Sequence, residues 1–108
     1  IPSPMQFDPN GMPEEVWGGG GSLDYYAEMT AVTATDASGG VQYYFECDEY
    51  PGVDPKGFDS GWIDTPTYTT DPLSRANMSL HFRVKARDIH HNETDPSPWV
   101  KMRIIGGI

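Results

Sequence analysis

Four oxygen-bearing side chains on polar turns, Asp36, Asp88, Asn92 and Glu93, have the types that suit an ion. Carboxylate, amide and backbone carbonyl oxygens are the hard ligands that calcium takes. Their spacing does not follow the EF-hand pattern, so no cofactor is expected, and calcium is the metal that these ligand types would suit if one is bound. His90 and His91 stand beside these residues, but adjacent histidines on a loop lack the fixed spacing of a zinc motif and read as a solvated turn. A second chemistry lies in the aromatics. Tyr44, Tyr50 and Trp62 are the candidate rings for stacking on a polysaccharide, and Trp17 and Trp99 are further large rings of the same kind. The competing use of each ring is packing against the sheet that carries it.

Catalysis finds little support. Glu14/Glu15 and Asp48/Glu49 are the acidic pairs that would supply a glycosidase's two carboxylates. Adjacent side chains on an extended chain point apart, however, and no insertion is long enough to form a sugar cleft. No Ser-His-Asp or Cys-His signature is present, and a non-enzyme is expected. Cys47 is the sole cysteine, which rules out an internal disulfide. Its parity with Val41, Tyr43 and Phe45 makes it a small buried hydrophobe.

With 108 residues, the chain has room for one domain and one core. Sixteen acidic against 7 basic residues give a net charge of −9, a sign that repels phosphate backbones and anionic lipid. Nucleic-acid partners are therefore not expected. Membrane insertion is not expected either, because no run approaches the about 18 apolar residues that a spanning helix needs.

The elements that must position these residues are strands. The stretches VQYYFECD (residues 41–48) and LHFRVKARD (residues 80–88) alternate apolar and polar side chains with period two. Parity sends Val41, Tyr43, Phe45, Phe82, Val84, Ala86, Val100, Met102 and Ile104 inward. Tyr44, Glu46, Asp48, Arg83, Lys85, Arg87, Lys101 and Arg103 then share the outer face, where the cations form a stripe beside carboxylates. Cross-strand charge pairing is the expected use of that stripe, ahead of an anionic-ligand site. A Thr- and aromatic-rich strand is expected over residues 23–36, with Met29 and Ala31 inward and a turn through residues 36–40. Short strands follow around Trp62 and residues 67–70, and a turn at Asp71-Pro72 leads into the long strand. Residues 1–22 read as a Pro/Gly-rich arm with an edge strand, residues 23–106 as the sandwich and residues 107–108 as a tail, with the patterned core expected entirely after the run Gly18–Gly21. Starting at Ile1, the chain reads as a mature or excised segment. With no helical period anywhere, the fold class is all-β: an antiparallel two-sheet β-sandwich of about seven strands.

Leu73 followed by Phe82-Arg83-Val84-Lys85-Ala86-Arg87 is similar to the signature at one corner of fibronectin type III domains. More closely, ATDASGGVQYYFEC (residues 34–47), DSGWIDTPTYT (59–69) and VKARDIHHNETDPS (84–97) resemble a fibronectin type III-like, immunoglobulin-like module of secreted and cell-surface proteins of bacteria. The resemblance spans residues 23–97, and Leu80 stands where the family has a corner tyrosine. It implies a non-catalytic spacer, adhesion or assembly module in an extracellular setting, with neighbouring domains or copies of the same protein as partners. It equally accommodates a carbohydrate-binding accessory module of a polysaccharide-degrading enzyme. A third role is a subunit of an extracellular filament, in which the Pro-rich arm and the apolar tail at residues 104–108 dock on neighbouring copies by strand addition. In such a setting the sequons Asn77-Met78-Ser79 and Asn92-Glu93-Thr94 carry no weight.

Strand parity makes one sharp prediction. Val84→Asp or Phe45→Asp places an unpaired charge in the core at a cost of several kcal/mol, against a total stability of about 5–15 kcal/mol. Either variant is expected to melt far below the parent in a thermal scan; melting within a degree or two would reverse the assigned faces.

Overall fold

The computed structural model describes residues 3–17, 25–37, 39–48, 59–70 and 78–104, and among these the regular elements are strands, with no helix. In order these are β1 (Glu14–Trp17), β2 (Tyr25–Thr30), β3 (Gln42–Asp48), β4 (Trp62–Ile63), β5 (Thr67–Thr69), β6 (Met78–Arg87) and β7 (Val100–Ile104). The glycine run at residues 18–21, Tyr50 with most of its loop, the Asp71-Pro72 turn, Leu73, Asn77 and the tail past Ile104 lie outside the described residues. Two antiparallel sheets result, one ordered β1-β2-β5 and the other β4-β3-β6-β7. This is the two-sheet sandwich that the alternation implies.

Parity and register agree at the centre. β3 reads half-buried and buried in strict alternation, and it pairs with β6 so that Tyr43 faces Ala86, Phe45 faces Val84 and Cys47 faces Phe82. Phe45, Phe82, Val84, Ala86 and Leu80 are fully buried, and Met29 and Ala31 reach them from the other sheet. Phe45 is the hinge of this packing: its ring stacks on Tyr68 of β5 at 5.5 Å and lies 6.2 Å from Phe7, so three rings tie the two sheets together. At Leu80 an aliphatic side chain fills the core, and the backbone-anchoring phenol sits elsewhere. Tyr43 Oη accepts a hydrogen bond from the Ala34 N–H at 2.9 Å, which holds the chain between β2 and β3 against the sandwich.

The core begins earlier than the sequence pattern indicates. Met5 has no exposure and Phe7 has 6 %, and Phe7 bridges antiparallel to Ala31, just past the end of β2. The expectation of a core lying wholly after the glycine run is thus overturned. The four prolines of residues 1–17 hide a two-residue alternation that supplies core side chains. β2 itself stops at Thr30, short of the expected Asp36, because the arm takes over as the partner of Thr30 and Val32.

Where a neighbouring strand peels away, a hydroxyl replaces the missing carbonyl. The Val84 N–H donates to Ser97 Oγ at 3.0 Å while the Ser97 N–H donates to the Val84 carbonyl at 2.8 Å. The same reciprocal pair joins Phe45 to Ser60 (2.8 and 3.0 Å), Ala86 to Thr94 (3.1 and 2.8 Å) and Ala27 to Thr70 (3.0 and 2.9 Å). In three of the four the hydroxyl passes its own proton to the next residue's carbonyl: Ser97 to Pro98, Ser60 to Gly61 and Thr94 to Asp95. That donation turns a lone pair toward the strand, so each hydroxyl is fixed as an acceptor. Asp59 Oδ1 serves the Cys47 N–H in the same way at 2.8 Å. Among the described residues no buried side-chain nitrogen or oxygen lacks a partner.

These clamps predict a measurable penalty. Ser97→Ala and Ser60→Ala each leave a core N–H without an acceptor, at a cost of about 1–3 kcal/mol. Thr33→Ala, at an exposed position, is expected to stay within about 0.5 kcal/mol. Urea unfolding of the three variants decides the matter; equal midpoints would mean that the hydroxyls are dispensable.

Candidate functional site

The outer face of the β4-β3-β6-β7 sheet gathers most of the side chains with chemical potential. Cross-strand register places Gln42 opposite Arg87, Tyr44 opposite Lys85 and Glu46 opposite Arg83, while Tyr44 also faces Trp62 across β4. The three cations of β6 are each engaged, while Lys101 on β7 is exposed. Arg83 makes two hydrogen bonds to Glu46 Oε2, at 3.1 and 2.9 Å, and its guanidinium carbon lies 4.4 Å from the centre of the Trp99 ring. Lys85 Nζ lies 3.7 Å from Glu46 Oε1 and 2.9 Å from Glu93 Oε1. It also approaches the Tyr44 and Trp62 rings at 5.3 and 5.5 Å. Arg87 donates twice to Gln42 Oε1, at 2.9 and 2.8 Å, and covers Trp62 at 4.3 Å, while the Gln42 amide donates to Asp64 at 3.1 Å. Half-buried cation–π and ion pairs of this kind contribute up to about 1 kcal/mol each. Cross-strand charge pairing, the expected use, thus forms at Arg83 and Lys85, while Arg87 is held by Gln42 and Trp62.

Of the three candidate stacking residues, Tyr50 lies outside the described residues. Tyr44 and Trp62 come together, but edge to face: their centroids are 5.3 Å apart and their planes 75° apart. A sugar ring needs a flat, uncovered face. These two rings do not share a plane, and Arg87 and Lys85 stand over them.

The sequence reading missed a repeat on this face. Ser60-Gly61-Trp62 and Ser97-Pro98-Trp99 are both Ser-x-Trp units. In each, the serine clamps one member of the Phe45–Val84 pair, and the tryptophan two residues on lies under an arginine of β6. The middle residues differ: Gly61 has φ 68°, a left-handed value that favours glycine, and proline holds φ negative at the other unit. Two copies of Ser-x-Trp, each just before a strand, were the available signal.

The four calcium candidates divide. Asp88 and Asn92 form one closed turn: Asp88 Oδ1 accepts the N–H groups of His90 (2.8 Å) and Asn92 (3.0 Å), and Oδ2 accepts the Asn92 amide at 3.0 Å. Glu93 bridges instead to Arg87 through its backbone and to Lys85 through its carboxylate. Asp36 sits on the separate turn that the Gly39 N–H closes at 3.1 Å. Among the described residues no three His, Cys, Asp or Glu side chains converge as a metal site. An open cleft of about 260 Å³ lies between the two turns, lined by Gly40, Gln42, Asp64, Asp88, Ile89 and His91. The acidic pair Glu14/Glu15 lies along β1, one side chain exposed and the other half-buried. The chain matches no protein-family model, no curated protein and no solved structure.

The Asn92 side chain, followed by the Asn92 and His90 backbone, holds the Asp88 carboxyl below the ordinary aspartate value of 3.8. A depressed folded value means that the turn gains stability only above the unfolded value and loses it as pH falls through the folded one. Asn92→Ala removes the leading cause. An NMR titration of the Asp88 carboxyl carbon is expected to move up toward the ordinary value in that variant; an unmoved midpoint would show that the amide does not hold the carboxylate.

Proposed function

We propose that the chain is a non-catalytic structural module, a spacer or subunit-contact unit of fibronectin type III-like type. The observation that carries this reading is the closed outer face. Tyr44, Trp62, Trp99, Arg83, Lys85 and Arg87, the groups a ligand would recognise, are all engaged with one another or with Glu46, Glu93 and Gln42. A binding face leaves such groups available, whereas a load-sharing unit spends them on its own rigidity. The strand order adds support, because β4 pairs with β3 and so leaves three strands facing four; sandwiches of this architecture recur as repeating modules of cell-surface proteins.

Chain geometry suits a spacer as well. Ser3 is bonded to Asp95, beside the end of β6, and Ile104 pairs with Met78 at its beginning. Ser3 and Ile104 thus lie toward opposite ends of the long strand, in a body with extents of 48 × 28 × 23 Å. The resemblance to modules of secreted and surface proteins of bacteria extends the proposal to an extracellular setting.

Affinity electrophoresis through neutral and acidic polysaccharides tests the reading. The parent is expected to migrate without retardation, and Trp62→Ala to lose about 1–2 kcal/mol of stability as the ring's cation–π contact and burial go. Retardation of the parent by any one polysaccharide, abolished in Trp62→Ala with folding intact, would replace the spacer by a carbohydrate-binding module.

A further inference from the structure

The N-terminal arm meets the rest of the domain as an added strand. Residues 5–8 alternate: Met5 and Phe7 are buried, Gln6 is exposed and Asp8 half-buried. On one side the Met5 N–H donates to the Asp95 carbonyl and the Asp95 N–H donates to Ser3 Oγ, both at 3.0 Å. On the other side the Val32 N–H donates to Gln6 O at 3.0 Å and the Asp8 N–H to Thr30 O at 2.9 Å, with Phe7 facing Ala31 between them. Main-chain bonds combined with pockets for alternate side chains are the two components of peptide recognition by strand addition. The fit is also incomplete. An apolar groove of about 140 Å³ runs beside Phe7, lined further by Gln6, Met12, Ser97, Pro98 and Val100. One flank of the arm therefore borders an open groove instead of packed side chains.

We propose that this slot, between Asp95 and Ala31, accepts the arm of a second copy of the chain as well as its own, so that copies joined by exchanged arms form the assembly. The proposal rests on the structural-module reading and names its partner. The identical arm is the occupant whose complementarity is already displayed: the same bonds and the same two buried side chains serve in either chain. Closed and exchanged forms therefore differ only at the hinge and in concentration. The hinge is residues 8–13, in which Pro9 and Pro13 bias Asp8 and Met12 toward extended backbone and so toward an open connection. Opposing this, a turn closes the arm on its own domain: the Gly11 N–H donates to Asp8 O at 2.8 Å and the Asn10 N–H to Asp8 Oδ1 at 2.9 Å. The turn needs glycine, since a Cβ on Gly11 would lie 2.6 Å from Thr30 Cβ. Tethering gives the chain's own arm an effective concentration in the millimolar range, so exchange belongs to crowded or tandem copies.

The test uses the full chain and Gly11→Ala, each unfolded and refolded over micromolar to millimolar concentration, with mass read by light scattering on a sizing column. A dimer is expected that grows with concentration and reaches a severalfold larger fraction in Gly11→Ala, where the closed turn clashes and the arm and slot are unchanged. A synthetic peptide of residues 1–9 added in excess during refolding is expected to suppress the dimer, and the same peptide with Phe7→Ala is expected not to. A monomer at every concentration in both chains overturns the proposal. So does a dimer that Gly11→Ala fails to increase, or one indifferent to the peptide. Polysaccharide retardation would leave this outcome untouched, so the two readings fail separately.

Discussion

Phe45 and Val84 face each other at the middle of the β3–β6 pair with no solvent access, and their amide groups point away from one another toward strands that have already turned aside. A buried amide without an acceptor costs as much as a large fraction of a small domain's stability. The rest of the sheet follows from meeting that demand. Serines 60 and 97 reach in from opposite flanks, each presenting a hydroxyl to the strand and its own N–H to the same residue's carbonyl. Because each serine must lie beside the core pair, the tryptophan two positions later is delivered to the outer face. There Arg87 and Arg83, also placed by β6, meet the rings. One requirement inside the sandwich thereby sets the surface pattern outside it.

The arm closes the side of the sandwich that the two sheets leave open. It bonds to the β6–β7 connection through Asp95 and to the end of β2 through Thr30 and Val32, and its two apolar side chains complete the core around Phe45. The tight approach of Gly11 to Thr30 is the backbone counterpart of this closure, because a side chain there would lift the arm away from β2. Sheet, clamp and arm thus converge on one aromatic ring.

Much of the fold was legible in the chain. The alternation through Tyr43, Phe45 and Cys47 and through Phe82, Val84 and Ala86 is a local property of strand geometry, and burial of one face follows from it without tertiary information. The outer stripe from Tyr44 to Arg87 was legible for the same reason. Met5 and Phe7 show as the one periodicity of the arm, but the prolines around them mark a linker and edge strand, so their place in the core was not legible. The serine clamps escaped because a hydroxyl's role depends on which strand lies beside it. At the candidate site, sequence identified Tyr44 and Trp62 as neighbours in chemistry but held no information on the 75° between their planes. Asp88 and Asn92 were recognised as oxygen-rich; their closure onto each other depends on backbone turning at His91, where φ is 65°.

The two systems that hold the central sheet differ in the kind of force they use. The serine clamps are made of neutral dipoles, buried at Ser97 and part-buried at Ser60, and dissolved ions compete little with them. The outer network of Glu46, Glu93, Arg83 and Lys85 is half-exposed and charged, so a screening length that shrinks from about 10 Å at 0.1 M salt to about 3 Å at 1 M loosens it. Brine would then soften the skin of the domain while its interior kept its register. Such a body retains its shape across a wide range of salt concentration.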